Sequence, residues 1–143
     1  ARTKTTQRAR RQPPSAGPVA TYYEHAMSYW ASLHDPITGA VLELDSPHHM
    51  RGGTYCIGGT TEASLNVTYN YARHYDGLGP DGLRSLHGMT GAASLPLLRA
   101  TSSALGDDVS DDYWAPTEGN AKRALLQLAA LAEMRPDGVW EID

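Results

Sequence analysis

Five of the twelve basic residues, Arg2, Lys4, Arg8, Arg10 and Arg11, fall in the first eleven positions, and no acid precedes Glu24. No large apolar side chain appears before Val19, so this stretch has nothing to place in a hydrophobic core. Pro13, Pro14, Gly17 and Pro18 follow and favour an extended linker. The rest of the chain has seven basic residues against sixteen acids, so a +5 arm is joined to a −9 body. The sequence divides into an extended basic arm with its linker, residues 1–20, and a folding unit, residues 21–143. An arm of this charge suits phosphates or an acidic protein surface. Nucleic acid or a larger protein assembly is therefore the expected partner, and an oligomer is compatible with it.

The 143 residues are 41% hydrophobic and 20% charged, enough apolar content for one core. No apolar run approaches the roughly 18 residues that cross a bilayer, and residues 1–20 lack the apolar stretch of a secretory signal. No membrane association is expected, and the expected setting is cytoplasmic or within a particle. One cysteine excludes an internal disulfide and a multi-cysteine zinc site. P-loop, GxSxG and HExxH patterns are absent, and no cofactor is implied.

The patterning predicts an α+β fold: a small antiparallel sheet of hairpins packed against two or three helices, behind the basic arm. Ser28 to Asp45 reads as a hairpin turning at Asp35, Pro36 and Gly39, and SPHHMRGG reads as a linker after it. Thr54–Ile57 and Ala63–Tyr69 read as a second strand pair about Gly58-Gly59. In its second arm Leu65, Val67 and Tyr69 alternate with Ser64, Asn66 and Thr68. Asn70 suits the cap of a short helix from Tyr71 to Tyr75. Leu83 to Met89 reads as a short strand or turn. Thr90 suits the cap of a helix to Ala104, with Ala93, Leu95, Leu97, Leu98 and Leu105 as its apolar content. The strongest helix spans Thr117 to Met134, with Ala121, Leu125, Leu128 and Ala132 in one stripe widened by Ala124 and Leu131. Val139 to Ile142 reads as a closing strand.

Several residues invite a chemical reading. Asn66, Thr68 and Asn70 form a polar line ending at a strand-to-helix corner, where amides and helix N–H groups could hold a small polar ligand. The plainer reading is a solvent-facing strand with an ordinary Asn cap. Cys56 could act as a nucleophile with one of His25, His48, His49, His74 or His87 as base, but a strand cysteine without a nearby base reads first as packing. Gly52-Gly53 and Gly58-Gly59 fit hairpin geometry better than a phosphate cradle, because a strand follows them and no lysine is near. Asp45, His48 and His49 are potential metal ligands, but adjacent histidines on an extended segment point apart. Asp107, Asp108, Asp111 and Asp112 lack EF-hand spacing and read as a solvated loop or helix start.

Three stretches, MRGGTYCIGGTTEASLNVTYNY, LRSLHGMTGAASLPLL and YWAPTEGNAKRALLQLAALAEMRPDGVWE, resemble small uncharacterised proteins of bacteria and their phages. The resemblance rests chiefly on Asn66-x-Thr68-x-Asn70 and Gly119-Asn120-Ala121. It implies a phage or mobile-element setting inside a bacterial cell and assigns no activity. The arm's tip, ARTKTTQR, is similar to the histone H3 amino terminus at Ala1, Arg2, Thr3, Lys4, Thr6 and Arg8, but the downstream tail departs at once. Together these readings favour a non-enzymatic binding or assembly accessory protein, either a virion component or an inhibitor of a bacterial defence system. The alternative is a small-ligand-binding or hydrolytic protein using the Asn66/Thr68/Asn70 corner or Cys56.

Overall fold

The computed structural model describes residues 28–54 and 59–143. The basic arm and Cys56 lie outside the described residues. The fold is α+β. Strands β1 (Ser28–His34), β4 (Ser64–Thr68) and β5 (Val139–Ile142) form an antiparallel sheet in the order β4-β1-β5. Strands β2 (Glu43–His48) and β3 (Thr60–Glu62) pair as a separate two-stranded ribbon. Short 3-10 helices follow at Tyr69–His74, Asp76–Leu78 and Gly82–Leu86, then helices α1 (Gly91–Ser103) and α2 (Glu118–Met134).

The sheet registers put one residue class on each face. Tyr29 pairs with Val67, Ala31 with Leu65 and Ile142, and Leu33 with Trp140. Because facing residues share a side of the sheet, these seven make one apolar face, and all are buried. Helix α2 packs its stripe into the same core. Ala121, Ala124, Leu125, Leu128, Leu131 and Ala132 are all buried, while Arg123 and Glu133 are exposed. Thr117 caps α2 by accepting from the Asn120 N–H, and Thr90 caps α1 by accepting from the Ala93 N–H.

Three local expectations are corrected. First, the return arm of the first hairpin leaves β1 early. It makes the His34–Val41 bridge and the Leu42 N–H to Leu33 carbonyl bond, then turns away to pair with β3. The reason is competition for one edge: β4 holds β1 from Ser28 to Ser32, and Ala63 bridges Leu33 and Leu42 where the two partners change over. The expected linker therefore begins as strand, through His48. The β2–β3 register shifts between Glu43 and His48, where Pro47 has no N–H to donate.

Second, the polar line of β4 does not face solvent. Ser64 and Thr68 are buried, because the backbone at Gly52 to Thr54 lies against it. The Thr68 N–H donates to the Gly52 carbonyl at 2.7 Å, and Gly53 takes a φ of +89°. A Cβ at Gly53 would sit 2.4 Å from Thr68 Cγ2 and 2.6 Å from the Tyr71 ring, so only glycine allows this approach. Close approach rather than a hairpin turn explains this glycine pair.

Third, the inner face of α1 is small and polar. Gly91, Ser94, Thr101 and Ser102 are buried with Leu98, while Leu95 and Leu97 are only half-buried and Ala93 is exposed. The hydroxyls find partners locally: Ser94 donates to the Gly91 carbonyl, Ser102 donates to the Leu98 carbonyl, and Ser94 also accepts the Trp140 indole N–H at 2.9 Å.

Candidate functional site

The sequence-predicted corner is made of three side chains with three different duties. Thr68, fully buried, caps the first 3-10 helix by accepting from the Asn70 N–H, so Thr68 is the cap and not Asn70. Asn66 donates from Nδ2 to the Tyr29 carbonyl at 3.1 Å, and its buried Oδ1 has no hydrogen-bond partner. Asn70 reaches across to donate to the Trp114 carbonyl at 2.9 Å. The corner thus does not converge on a common point. Of the three, Asn70 alone braces a neighbouring segment.

That segment is the loop from Gly106 to Pro116, and it is held from two sides. The first 3-10 helix grips it with Asn70, with Tyr71, whose hydroxyl donates to the Tyr113 carbonyl at 2.5 Å, and with His74, whose Nε2 lies 2.8 Å from the Pro116 carbonyl. Helix α2 grips it with Asn120. This amide is fully buried, accepts from the Ser110 N–H, and donates to the Asp112 and Ala115 carbonyls at 3.1 and 3.0 Å. Gly119 lets the loop lie directly on the helix start, since a Cβ there would meet Val109 N at 2.5 Å. The acidic run serves the same junction. Asp108 accepts from the Gly119 N–H, Asp107 pairs with Lys122 at 2.7 Å, and Asp112 accepts from the Trp114 N–H.

Between this loop, α2 and the segment before Thr54 lies a cleft of about 410 Å³. Its walls include His49, Arg51, Gly53, Tyr71, Asp111, Tyr113, Asn120, Arg123 and Gln127. Asn120, Arg123 and Gln127 are spaced by three and four along α2, which places them on one polar stripe beside the apolar one. Asn120 is bonded to the loop wall. Gln127 is bonded to the opposite wall, accepting from the Arg51 N–H at 2.8 Å and donating to the Arg51 carbonyl at 2.5 Å. Arg123 stands between them. Among the described residues neither Arg51 nor Arg123 makes an ion pair, whereas Arg99, Lys122 and Arg135 each pair with an acid. Burial pushes the Tyr71 hydroxyl up to about 12, with the charge of Arg123 working against the rise and that of Asp112 adding to it.

The described histidines mostly act as staples. His48 Nε2 lies 2.8 Å from the Glu62 carbonyl and its Nδ1 accepts from the Met50 N–H. His87 accepts from the Ile142 N–H, and His34 bonds Ser32 and the Gly39 carbonyl. His49 alone lines the cleft, with its ring against Gly59. Among the described residues no group of three or more His, Cys, Asp or Glu side chains could hold a metal ion, and no helix is long and apolar enough to cross a membrane. Sequence reading missed the cleft because its arginines come from positions 51 and 123, outside any motif. No local signal singles them out, since Arg73 and Arg84 of the same acidic body also make no ion pair among the described residues. Comparison with known proteins yields no match: no family model fits the chain, and neither a curated protein nor a solved structure shows significant similarity to it.

Proposed function

We propose that the chain is a non-enzymatic binding or assembly protein that engages an anionic partner through two separate elements. Arg2, Lys4, Arg8, Arg10 and Arg11 dock on nucleic acid or an acidic protein surface, and the body supplies the specific contact. The observation that carries this reading is the placement of Arg51 and Arg123, two cations without an ion pair among the described residues, on one cleft of a body whose formal charge is −9. Positive charges gathered on one cavity raise the local concentration of a negatively charged partner. The setting is that implied by the sequence resemblance: a phage or mobile-element accessory protein, in the bacterial cytoplasm or in a virion. The small-ligand reading finds its best support at this cleft. The Asn66, Thr68 and Asn70 corner mainly braces the fold, and Cys56 lies outside the described residues.

Titration of single-stranded and duplex DNA with the full chain and with a chain lacking residues 1–12, at several salt concentrations, tests the arm. The truncated chain should keep its melting temperature and bind more weakly. Its log–log salt slope should be shallower by as much as about 3.5–4.5 if all five charges meet phosphates. Equal affinities and equal slopes would reject the docking role.

A further inference from the structure

We infer that the cleft between α2, the 106–116 loop and Arg51 is a binding site for a phosphate monoester. The inference rests on the binding reading above and adds the chemistry of what is bound. The residues that line the cleft include two arginines, Arg51 and Arg123, against a single acid, Asp111, so the lining has a net positive formal charge before His49 is considered. Guanidinium offers paired N–H donors whose spacing matches phosphate oxygens, and two such forks suit a dianion better than the single charge of a carboxylate. The backbones that carry the cations are held in position. Gln127 fixes both polar groups of the Arg51 backbone, and Arg123 rises from the middle of a capped helix between two bonded neighbours. Little backbone ordering remains to oppose binding.

The remaining walls suit the organic part of such a ligand. Tyr113, Tyr71 and the bare backbone at Gly53 contribute aromatic and glycine surface, and Tyr113 is itself backed by Trp114 with ring centroids 5.5 Å apart. The volume of about 410 Å³ exceeds what a bare oxyanion needs and falls within the range of small-molecule sites. A planar group carrying a terminal phosphate therefore fits better than inorganic phosphate alone. That chemistry occurs both in free nucleoside monophosphates and at the 5′ end of a nucleic-acid strand.

The test is calorimetric titration of the full chain with inorganic phosphate, phenyl phosphate and acetate. Phenyl phosphate should bind more tightly than inorganic phosphate, and acetate most weakly. Arg51→Ala and Arg123→Ala should each weaken phenyl phosphate by about 10- to 100-fold, the loss expected for charge-assisted hydrogen bonds. Asp111→Asn should tighten it. Because among the described residues neither arginine side chain makes a hydrogen bond or ion pair, both variants should melt close to the parent. Parallel titrations with a nucleoside 5′-monophosphate and with an oligonucleotide with and without its 5′ phosphate separate the carriers, since each should lose affinity in the arginine variants only if its phosphate enters the cleft. No binding of phenyl phosphate at millimolar concentration, or equal binding by parent and arginine variants, overturns the inference. The salt slope of DNA binding, measured on the same variants, reports on the arm separately: an intact slope with a silent cleft removes this site and leaves the docking role standing.

Discussion

Gln127 holds both backbone polar groups of Arg51, accepting from its N–H at 2.8 Å and donating from Nε2 to its carbonyl at 2.5 Å, across 76 positions of sequence. The pairing ties the segment leading to Gly52-Gly53 onto α2 and sets one wall of the cleft. Gln127→Ala should lower stability by about 1–2 kcal/mol, since two exposed backbone groups return to water rather than being orphaned. It should also weaken phenyl phosphate binding although Gln127 carries no charge. Chemical denaturation and calorimetry on one preparation check both. A stability loss with unchanged affinity would mean that Arg51 is positioned by other contacts.

Gly119 tests how the acidic loop sits on α2. Helix propensity alone favours alanine there, by about 1 kcal/mol at most. The structure dictates the opposite sign, because a Cβ would meet backbone atoms of Asp107, Asp108 and Val109 within 2.8 Å, and backbone cannot swing aside. Gly119→Ala should destabilise the protein and expose the 106–116 loop to limited proteolysis. Asn120→Ala should do the same by about 2–4 kcal/mol, leaving three backbone groups without their partners. A Gly119→Ala protein that melts higher would show that the loop is not seated on the helix.

The core of α2 gives a plainer expectation. Leu128 is fully buried and Leu126 is 49% exposed, two residues apart on the same helix. Leu128→Ala should cost about 2–5 kcal/mol and Leu126→Ala about 0.5 kcal/mol or less. The two denaturant midpoints, compared directly, decide whether the apolar stripe faces the sheet.

Alkaline pH should destabilise the fold through its tyrosines. Burial raises Tyr71 to about 12, and Tyr29 and Tyr75 are raised as well, Tyr75 well above its ordinary value of 10.0. The folded state therefore holds these protons more tightly than the unfolded chain. Their contribution is complete below about pH 10 and declines as pH climbs from 10 toward 12 and beyond, because the unfolded chain ionises first. Equilibrium unfolding as a function of pH, with tyrosinate absorbance as the monitor, should show the decline. Tyr71→Phe should flatten part of it while costing stability at neutral pH through loss of the bond to the Tyr113 carbonyl. An alkaline limb identical in parent and variant would place Tyr71 in water.

Periodicity and capping are local properties, and the sequence determined on its own what depends on them. The 3.6-residue stripe from Ala121 to Ala132, the Thr90 and Thr117 caps and the closing strand at Val139 all need only near neighbours to be recognised. The division into a +5 arm and a −9 body is likewise a matter of composition. Tertiary structure decided whatever depends on competition between distant segments. Val41 and Leu42 suit pairing with β1, yet β4 occupies most of that edge, and no local signal ranks the two. Thr68 and Asn70 are both good caps by chemistry. The helix starts at Tyr69, which makes Thr68 the cap and leaves Asn70 inside it, free to donate to the Trp114 carbonyl. The cleft is the extreme case: Arg51 and Arg123 become neighbours of one cavity because a glutamine on α2 and the β4 backbone both hold the segment around Arg51 in place. The energy of that contact belongs to the packed chain and to neither segment alone.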